Sequence, residues 1–323
     1  MRKTVPVGKL KTGMHVILPA SWFNHPFLKN RFEIVSNDQI REIIAAGFEE
    51  VVIEAGADHP EAIVFDDVHL FPPLKWEPGK LVPDELREAV HSATLAPEKK
   101  AAIVYKSSLA IMQRLLDEPC AENIREAKEG ISQIVDLIIS DDATSKNLLT
   151  ITSYDFYTYT HSVNVGVLSV LLSKMLFRES LAHDMHELGA GFFLHDIGKV
   201  RIDPAILNKS GRLTDEEMLK MKAHPYQGYK ILKETEQLTE ECRIIVMQHH
   251  ERDDGTGYPN GLKGDDIHVY GRICCIADVY DALTAERSYK QRLKPFEALK
   301  LMKEQMINHF HKELFDKFVL LFS

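Results

Sequence analysis

Cysteine is scarce in this sequence, and its copies follow no pattern that would build a disulfide framework. The cysteines are Cys120, Cys242, Cys274 and Cys275. None forms a Cys-X-X-Cys pair, and the two adjacent cysteines are poorly placed to bond each other. We interpret all four as reduced thiols of the protein core, which excludes a disulfide-stapled secreted scaffold and predicts a cytoplasmic protein.

Long apolar runs and an excess of positive charge are also lacking. No stretch approaches the roughly 18 uninterrupted apolar residues of a membrane-spanning helix. The opening MRKTVPVGKL has no apolar run behind its basic residues, so we expect no signal peptide. The formal net charge of −9 argues against a membrane-surface binder or a protein that coats nucleic acid. An anionic substrate would therefore need a local patch of lysine, arginine or metal.

The length and the hydrophobic pattern predict a mainly α protein of two domains. An apolar share of 45% over 323 residues allows a sizeable core. Residues 1–56 predict a small α+β module, and the prolines of 57–84 predict a linker. Helical periodicity predicts connecting helices over 85–149 and an all-α helical bundle over 150–323. In the module, strands are expected near 14–18, 32–35 and 50–54, and a helix near 36–47.

The second half also carries signals for individual helices. Thr214 and Glu217 have the spacing of a capping box, and Pro295 suits the first residue of a helix. A strongly apolar helix is expected to open at His161. Further helices are predicted from about Ser180 to His195, from Cys242 to His250 and from Arg272 to Ala285.

Histidine is abundant, with 15 copies, and several in the second half stand beside acidic residues. The candidate metal ligands are His161, His195, Asp196, His224, His249, His250 and Asp278. Each lies on a predicted helix or at its end, and helices can bring such residues from several elements into one pocket. Imidazole with carboxylate suits iron, manganese, nickel or zinc. Because these ligands exceed what one ion needs, we predict two ions, with Asp196 as the bridging carboxylate.

This ligand set suits the hydrolysis of a phosphodiester. Two metals about 3.5–4 Å apart can bridge a hydroxide and clamp a phosphate. Lys199 would add a positive charge on the phosphate. Each ligand alone has an ordinary alternative, such as a core histidine, a surface pair or a helix end, and only their joint occurrence favours a metal. His183, His186 and the remaining histidines are interpreted as ordinary residues.

Two further segments follow the ligands. Residues 251–261 contain the glycines and proline of a shaped loop, which would lie at the rim of the metal pocket because it directly follows His250. The alternative is an ordinary connector. Arg287 and Lys290, three residues apart, either face an anionic ligand or form a solvated basic end of a helix.

Together these segments resemble the HD-GYP family, a branch of the HD phosphohydrolases. The resemblance covers about residues 150–305. The matching segments are His161-Ser162, His195-Asp196-Ile197-Gly198-Lys199, His224-Pro225, His249-His250-Glu251, the tripeptide Gly257-Tyr258-Pro259, Ile276 to Thr284, and Arg287-Ser288-Tyr289-Lys290. The N-terminal residues also resemble a small module of unknown function that often precedes such domains.

The resemblance implies a bacterial cytoplasmic phosphodiesterase that hydrolyses cyclic di-GMP to linear pGpG, to GMP or to both. It implies a binuclear centre of iron or manganese, with nickel and zinc as alternatives, held by the ligand set above. His195, Asp196 and Lys199 would be catalytic, and Lys199, Arg287 and Lys290 would contact the substrate. The loop at residues 251–261, called the GYP loop after Gly257-Tyr258-Pro259, would shape the pocket or present a surface to diguanylate cyclases and other signalling domains.

Several alternatives stay open at this point. The substrate could be 3′,3′-cyclic GMP-AMP, the chain could be a non-catalytic sensor of cyclic dinucleotides, or it could hydrolyse nucleoside phosphates. A homodimer is also open. Relatives that bind a third metal have a glutamate where this chain has Tyr157, so two metals are expected, although Asp155 is close by.

Overall fold

The computed structural model describes residues 2–11, 14–17, 31–34, 40, 43–44, 50–54, 80–151, 158–178, 180–209, 211–285 and 293–322. The chain divides into two compact units, 1–72 and 73–323. Most of the predicted linker at 57–84 lies outside the described residues, and only its last five are described. The mainly α fold class with a small α+β part at the N-terminus is confirmed.

The first unit contains an antiparallel sheet of four strands among its described residues. These are β1 (Arg2–Pro6), β2 (His15–Ile17), β3 (Arg31–Glu33) and β4 (Glu50–Glu54), in the order β1-β4-β2-β3. The sheet and its neighbouring segments bury a small core of Leu10, Val16, Ile34, Ile43 and Val51. The three predicted strands are confirmed, whereas β1 was not predicted.

Strand β1 escaped prediction because its side chains carry little of the apolar alternation that marks a strand. It forms by pairing along the whole of β4, from Arg2 opposite Glu54 to Pro6 opposite Glu50. The predicted helix near 36–47 is described only at Ile40, Ile43 and Ile44, where the backbone is helical.

In the described part of the second unit, the regular secondary structure is all helical. Its α-helices are α1 (Asp84–His91), α2 (Pro97–Asp117), α3 (Ala121–Ser140), α4 (Asp142–Ile151), α5 (Thr158–Phe177), α6 (Met185–Leu194), α7 (Pro204–Leu207), α8 (Asp215–Met221), α9 (His224–Glu234), α10 (Glu240–Gln248), α11 (Val269–Thr284), α12 (Pro295–Gln305) and α13 (Lys312–Val319). One large apolar core runs through these helices.

The capping box and the proline placed two helix starts correctly, whereas a third start, expected near Ser180, was placed too early. Thr214 and Glu217 form the predicted capping box of α8, and Pro295 is the first residue of α12. Helix α6 begins at Met185 rather than near Ser180. Asp184 caps it by accepting hydrogen bonds from the backbone N–H groups of the first turn, which would otherwise lack partners.

Helix α5 is a long and strongly apolar helix of the second unit. Its residues Tyr159–Phe177 are long and apolar enough to cross a membrane by length and composition, but 78% of that window is buried inside the structure. It packs between α6 and α11 as a core helix. Apolar content all around a helix is typical of such a buried position.

The interpretation of the cysteines as core thiols holds for Cys242, Cys274 and Cys275, which are buried. It is wrong for Cys120, which is exposed. Cys120 precedes α3, where its sulfur accepts a hydrogen bond from the backbone N–H of Asn123 and so occupies the N-cap position.

A short turn of 3-10 helix at Ile197–Arg201 crosses the start of α9 at Gly198. A Cβ atom at Gly198 would overlap the carbonyl oxygen of His224 and the backbone nitrogen of Gly228. We therefore expect Gly198→Ala to destabilise the fold by about 1–3 kcal/mol, as overpacking does. Gly211→Ala is the matched control, because nothing lies within 4 Å of a Cβ there. Chemical denaturation measures both, and equal stability of the two variants would contradict the close approach.

Candidate metal centre

The structure brings all of the predicted ligands together in the second unit. They form two groups whose ligand atoms lie within 4.8 Å of one another in each group. One group is Asp196, His224, His249 and His250, and the other is His161, His195 and Asp278. Of these residues only His250 is not fully buried. Such density of imidazole and carboxylate away from water is costly unless a cation or hydrogen bonds compensate for it.

Helix ends supply most of this cluster. His161 lies in the first turn of α5, His224 is the first residue of α9, and His195 with Asp196 directly follows α6. The pair His249-His250 directly follows α10, and Asp278 alone lies inside a helix, α11. Packing of α5 against α6 and α11, and of α6 against α10, brings these positions together.

Asp196 lies at the middle of the cluster. Its Oδ2 atom is 3.4 Å from Nε2 of His161 and 3.4 Å from Nε2 of His195. Its Oδ1 atom is 3.2 Å from Nε2 of His224 and 3.8 Å from Nε2 of His249. The carboxylate therefore faces both groups, one with each oxygen, which is the arrangement expected of a bridging ligand.

Backbone carbonyl groups fix the tautomers of three histidines in the cluster. In each case Nδ1 lies against the carbonyl oxygen of the residue three positions earlier. The three bonds join His195 to Phe192 at 2.8 Å, His224 to Met221 at 2.9 Å and His249 to Val246 at 2.9 Å. Because a carbonyl oxygen only accepts, Nδ1 of each ring carries the hydrogen and Nε2 presents a lone pair.

These tautomers leave nitrogen lone pairs facing one another. Facing lone pairs repel each other, and a cation between them removes the repulsion. Nε2 of His224 and Nε2 of His249 are 3.1 Å apart with no hydrogen to share. Within the described residues, Nε2 of His195 and Oδ1 of Asp196 are buried without a hydrogen-bond partner. Converging buried acceptors of this kind are stabilised by a positive ion placed among them, and the nearby Lys199 contacts Oδ2 of Asp196 alone among these atoms. The cluster therefore fits a divalent metal.

His161 is oriented by a carboxylate rather than by the backbone. Its Nδ1–H donates to Oδ2 of Asp281 at 2.7 Å, and its Nε2 lies 3.0 Å from Oδ1 of Asp278. Burial opposes a charged ring, but the hydrogen bonds to Asp278 and Asp281 outweigh it and raise the pKa of His161 to about 9. A carboxylate behind a histidine in this way is the usual support of a metal-binding imidazole.

Asp281 was not among the predicted site residues. Its other oxygen, Oδ1, accepts a hydrogen bond from Nδ2 of Asn164 at 2.7 Å. The sequence did hold a weak signal for both residues, because Asp281 follows Asp278 by three positions and Asn164 follows His161 by three. On a helix, residues three apart share a face.

Near neutral pH the shifted pKa values favour the metal-binding forms of His249, His250 and Asp196, whereas at His161, with its raised pKa, a metal must displace a proton. Burial and the neighbouring His250, His195 and His224 hold the pKa of His249 well below its usual range. Burial also lowers the pKa of His250 to about 3, although Asp278 partly offsets it. Burial alone would raise the pKa of Asp196, but Lys199 and the histidines hold it well below its usual range. Neutral imidazole and ionised carboxylate are the ligand forms that bind metals.

Lys199 lies beside the cluster rather than apart from it. Its Nζ atom is 2.5 Å from Oδ2 of Asp196, three residues earlier on the same turn. Its side chain keeps 18% exposure, whereas that of Asp196 is 1% exposed, so Lys199 links the buried carboxylate toward the surface. From that position it could meet an anion entering the centre.

The loop at residues 251–261 lies against the cluster. The ring of Tyr258 stacks on His250, with centroids 4.6 Å apart, and Nζ of Lys222 lies 5.3 Å from the centroid of Tyr258. The backbone N–H of Tyr258 also donates to the carbonyl oxygen of His250 at 3.1 Å. The loop therefore packs against His250, whose side chain keeps 22% exposure.

A buried glutamate that sequence reasoning missed holds this loop in shape. Glu251 is 1% exposed and accepts hydrogen bonds from the backbone N–H groups of Asn260 at 2.7 Å and Leu262 at 2.9 Å. Its position directly after His250 could have drawn notice, but the sequence does not reveal that the loop folds back onto it.

Other predicted residues either lie elsewhere or are not described. Arg287, Lys290, Tyr157 and Asp155 lie outside the described residues. His183 belongs to neither metal group, and its Nδ1 atom is 2.7 Å from the hydroxyl oxygen of Tyr270. His186 pairs on the surface with Asp136. These two histidines have the ordinary roles expected of them.

Two family models match this chain. The model of the HD domain matches residues 155–314, which contain both metal groups. The model of a domain of unknown function, DUF3391, matches residues 2–138. The second match therefore extends beyond the first compact unit and includes α1, α2 and most of α3.

Named relatives match long parts of the chain. The cyclic di-GMP phosphodiesterase PA4108 of Pseudomonas aeruginosa is 33% identical over 326 residues, which cover 99% of this chain and 76% of that protein. The 3′3′-cGAMP-specific phosphodiesterase 2 of Vibrio cholerae is 35% identical over 218 residues, which cover 65% of this chain and 40% of that protein. The chain thus spans under half the length of the Vibrio relative.

A solved structure supports the fold. Bd1817, an HDG"Y"P protein from Bdellovibrio bacteriovorus, aligns over 100% of both chains with a TM-score of 0.64. The two sequences are 15% identical, so this likeness concerns the fold alone.

Proposed function

The chain belongs to the HD-GYP branch of the HD-domain family, whose members bind divalent metals, and we propose that it is a phosphodiesterase that hydrolyses cyclic di-GMP. The observation that carries this proposal is the buried cluster of lone pairs around Asp196, which needs a cation. Cyclic di-GMP is proposed as the substrate because the Pseudomonas relative, which matches 99% of this chain, is named for it.

We propose two metal ions, held by His161, His195 and Asp278 on one side and by His224, His249 and His250 on the other. Asp196 would bridge them, because each of its oxygens faces one group. Iron or manganese suits this set of imidazole and carboxylate ligands best, with nickel and zinc as alternatives. A divalent ion lowers the pKa of water from about 15.7 toward about 7 and neutralises charge on a phosphate.

The protein's own residues would bind and orient the substrate. Lys199, which contacts Asp196 and is partly exposed, would hold a phosphate oxygen as a point charge. Arg287 and Lys290 are proposed as further contacts to phosphate or guanine. The loop at residues 251–261 would limit access of bulk water on the side of His250, where Tyr258 stacks.

The proposal is tested by incubating the full chain, loaded with Fe(II) or Mn(II) under reducing conditions, with cyclic di-GMP. We expect the cyclic dinucleotide to disappear and pGpG, GMP or both to appear, which chromatography detects. Protein stripped of metal by a chelator is the control and should leave the substrate intact. Persistence of cyclic di-GMP with the metal-loaded protein would refute the activity.

A second substrate, 3′,3′-cyclic GMP-AMP, is favoured by the Vibrio relative. Competition of the two cyclic dinucleotides at equal concentration separates them, because the preferred one is consumed first. A non-catalytic sensor would instead bind cyclic dinucleotide tightly without metal and never hydrolyse it.

The domain bounds, the cellular location and the partners are proposed for a cyclic di-GMP phosphodiesterase. Residues 1–56 would form the N-terminal module, 57–84 a linker, 85–149 connecting helices and 150–323 the catalytic domain. We propose a cytoplasmic location, because the substrate is a second messenger. Signalling domains such as diguanylate cyclases would contact the GYP loop, and a homodimer is compatible with this arrangement.

A further inference from the structure

A chain of buried hydrogen bonds runs from helix α2 to the metal centre. The hydroxyl group of Tyr105 donates to Oδ1 of Asn164 at 2.7 Å, and Nδ2 of Asn164 donates to Oδ1 of Asp281 at 2.7 Å. Oδ2 of Asp281 accepts from Nδ1–H of His161, also at 2.7 Å. All four side chains are buried, and Tyr105 is the most exposed at 7%.

The direction of every bond in this chain is determined by its members. The ionised carboxylate of Asp281 only accepts, so Asn164 must turn its NH₂ group toward it and its oxygen toward Tyr105. The oxygen of Asn164 also only accepts, so the hydroxyl group of Tyr105 must donate. At the other end, His161 must carry a hydrogen on Nδ1, so Nε2 is the nitrogen that can present a lone pair to a metal.

Tyr105 lies outside the segment that carries the ligands. It belongs to α2, which falls within the DUF3391 match at 2–138 and outside the HD-domain match at 155–314. We propose that Tyr105 is a positioning residue of the metal centre, which holds Asn164 and Asp281 so that His161 presents Nε2 to the metal. This inference rests on the proposed function, because it presumes that the cluster binds a divalent metal.

The physical argument is one of orientation. A metal-binding imidazole must aim its lone pair accurately, and outer partners of such ligands typically change metal affinity by about 10–100-fold when removed. Asp281 is the immediate partner of His161, and Tyr105 acts two bonds further away. A smaller loss, about 3–10-fold, is therefore expected when the hydroxyl group of Tyr105 is removed.

The test compares Tyr105→Phe with the matched control Tyr270→Phe in the full chain. Tyr270 is also 7% exposed, and its hydroxyl oxygen also lies 2.7 Å from a neighbouring side chain, His183, which is not a ligand. Affinity for Mn(II) is measured by titration of the metal-free protein, with free Mn(II) followed by its electron paramagnetic resonance signal. Thermal melting of the metal-free variants records their stability separately.

We expect Tyr105→Phe to weaken Mn(II) binding about 3–10-fold, and Tyr270→Phe to bind as the unchanged protein does. Both variants should lose similar stability without metal, since each removes a hydroxyl group that hydrogen-bonds a neighbouring side chain. Unchanged affinity in Tyr105→Phe, or an equal loss in Tyr270→Phe, would overturn the positioning role. Failure of the unchanged protein to bind Mn(II) would instead refute the proposed metal centre itself.

Should Tyr105→Phe fail to fold, Asn164→Ser provides the second variant, because it shortens the side chain and interrupts the same connection. It should lower Mn(II) affinity by at least as much as expected for Tyr105→Phe. Retention of full affinity in Asn164→Ser would equally overturn the role of this hydrogen-bond chain.

Discussion

Replacing Asp196 by alanine is expected to abolish metal loading and turnover together. Asp196 faces both groups of ligands, and its two oxygens approach the Nε2 atoms of His161, His195 and His224 within 3.4 Å. Without this carboxylate the lone pairs of the histidines would converge with no anion to bridge the metals. Because removal of an outer partner alone typically costs about 10–100-fold, loss of the bridge should cost more than about 100-fold in metal affinity.

Elemental analysis measures the metal content of the purified variant, and an assay with cyclic di-GMP measures its turnover. His195→Ala should behave like Asp196→Ala, since it removes a neighbouring ligand. Lys199→Ala is the control, because Lys199 contacts Asp196 but presents no lone pair while protonated. It should keep its metal and turn over more slowly. Equal loss of metal in all three variants would contradict these separate roles.

The second large effect is expected from Asp281→Asn, a change of one atom outside the ligand set. Asn164 donates its NH₂ group to Oδ1 of Asp281, so an asparagine at 281 would place its own oxygen there. Its NH₂ group would then face Nδ1 of His161, where a hydrogen already lies. To accept that bond, His161 must move its hydrogen to Nε2, which removes the lone pair needed by a metal.

We therefore expect Asp281→Asn to lower metal affinity about 10–100-fold while the fold is kept. Competition with a chelator measures the affinity. Asp136→Asn is the matched control, because Asp136 and His186 form another His–Asp pair at 2.7 Å on the surface. That variant should bind metal normally. An Asp281→Asn variant with full affinity would show that the orientation of His161 does not depend on this carboxylate.

Much of the fold could be predicted from the sequence because local signals dominate in helices. The capping box at Thr214 and the proline at 295 gave helix starts directly. Strand β1 could not be predicted in the same way, since its pairing with β4 joins residues about fifty positions apart. The start of α6 was placed too early because the N-cap Asp184 was not recognised in the sequence.

The candidate site divides in a similar way. The clustering of the candidate ligands could be predicted, because histidine and aspartate in a set order carry a recognisable pattern. The residues that orient them were missed, because their role exists only through another residue. Tyr105 and Asn164 stand 59 positions apart, and no pattern in the sequence connects them. Glu251 was missed since its partners are backbone groups, which any residue supplies.

The carbonyl bonds of His195, His224 and His249 have a consequence for which metal the protein carries. Each bond joins a histidine to the carbonyl group three residues earlier, so the three rings are oriented toward the centre before any ion binds. Because these rings are already oriented, binding any divalent ion of suitable size requires little rearrangement of the protein. Since ligand type alone separates such ions weakly, we expect the cell's supply of iron and manganese to decide the occupant.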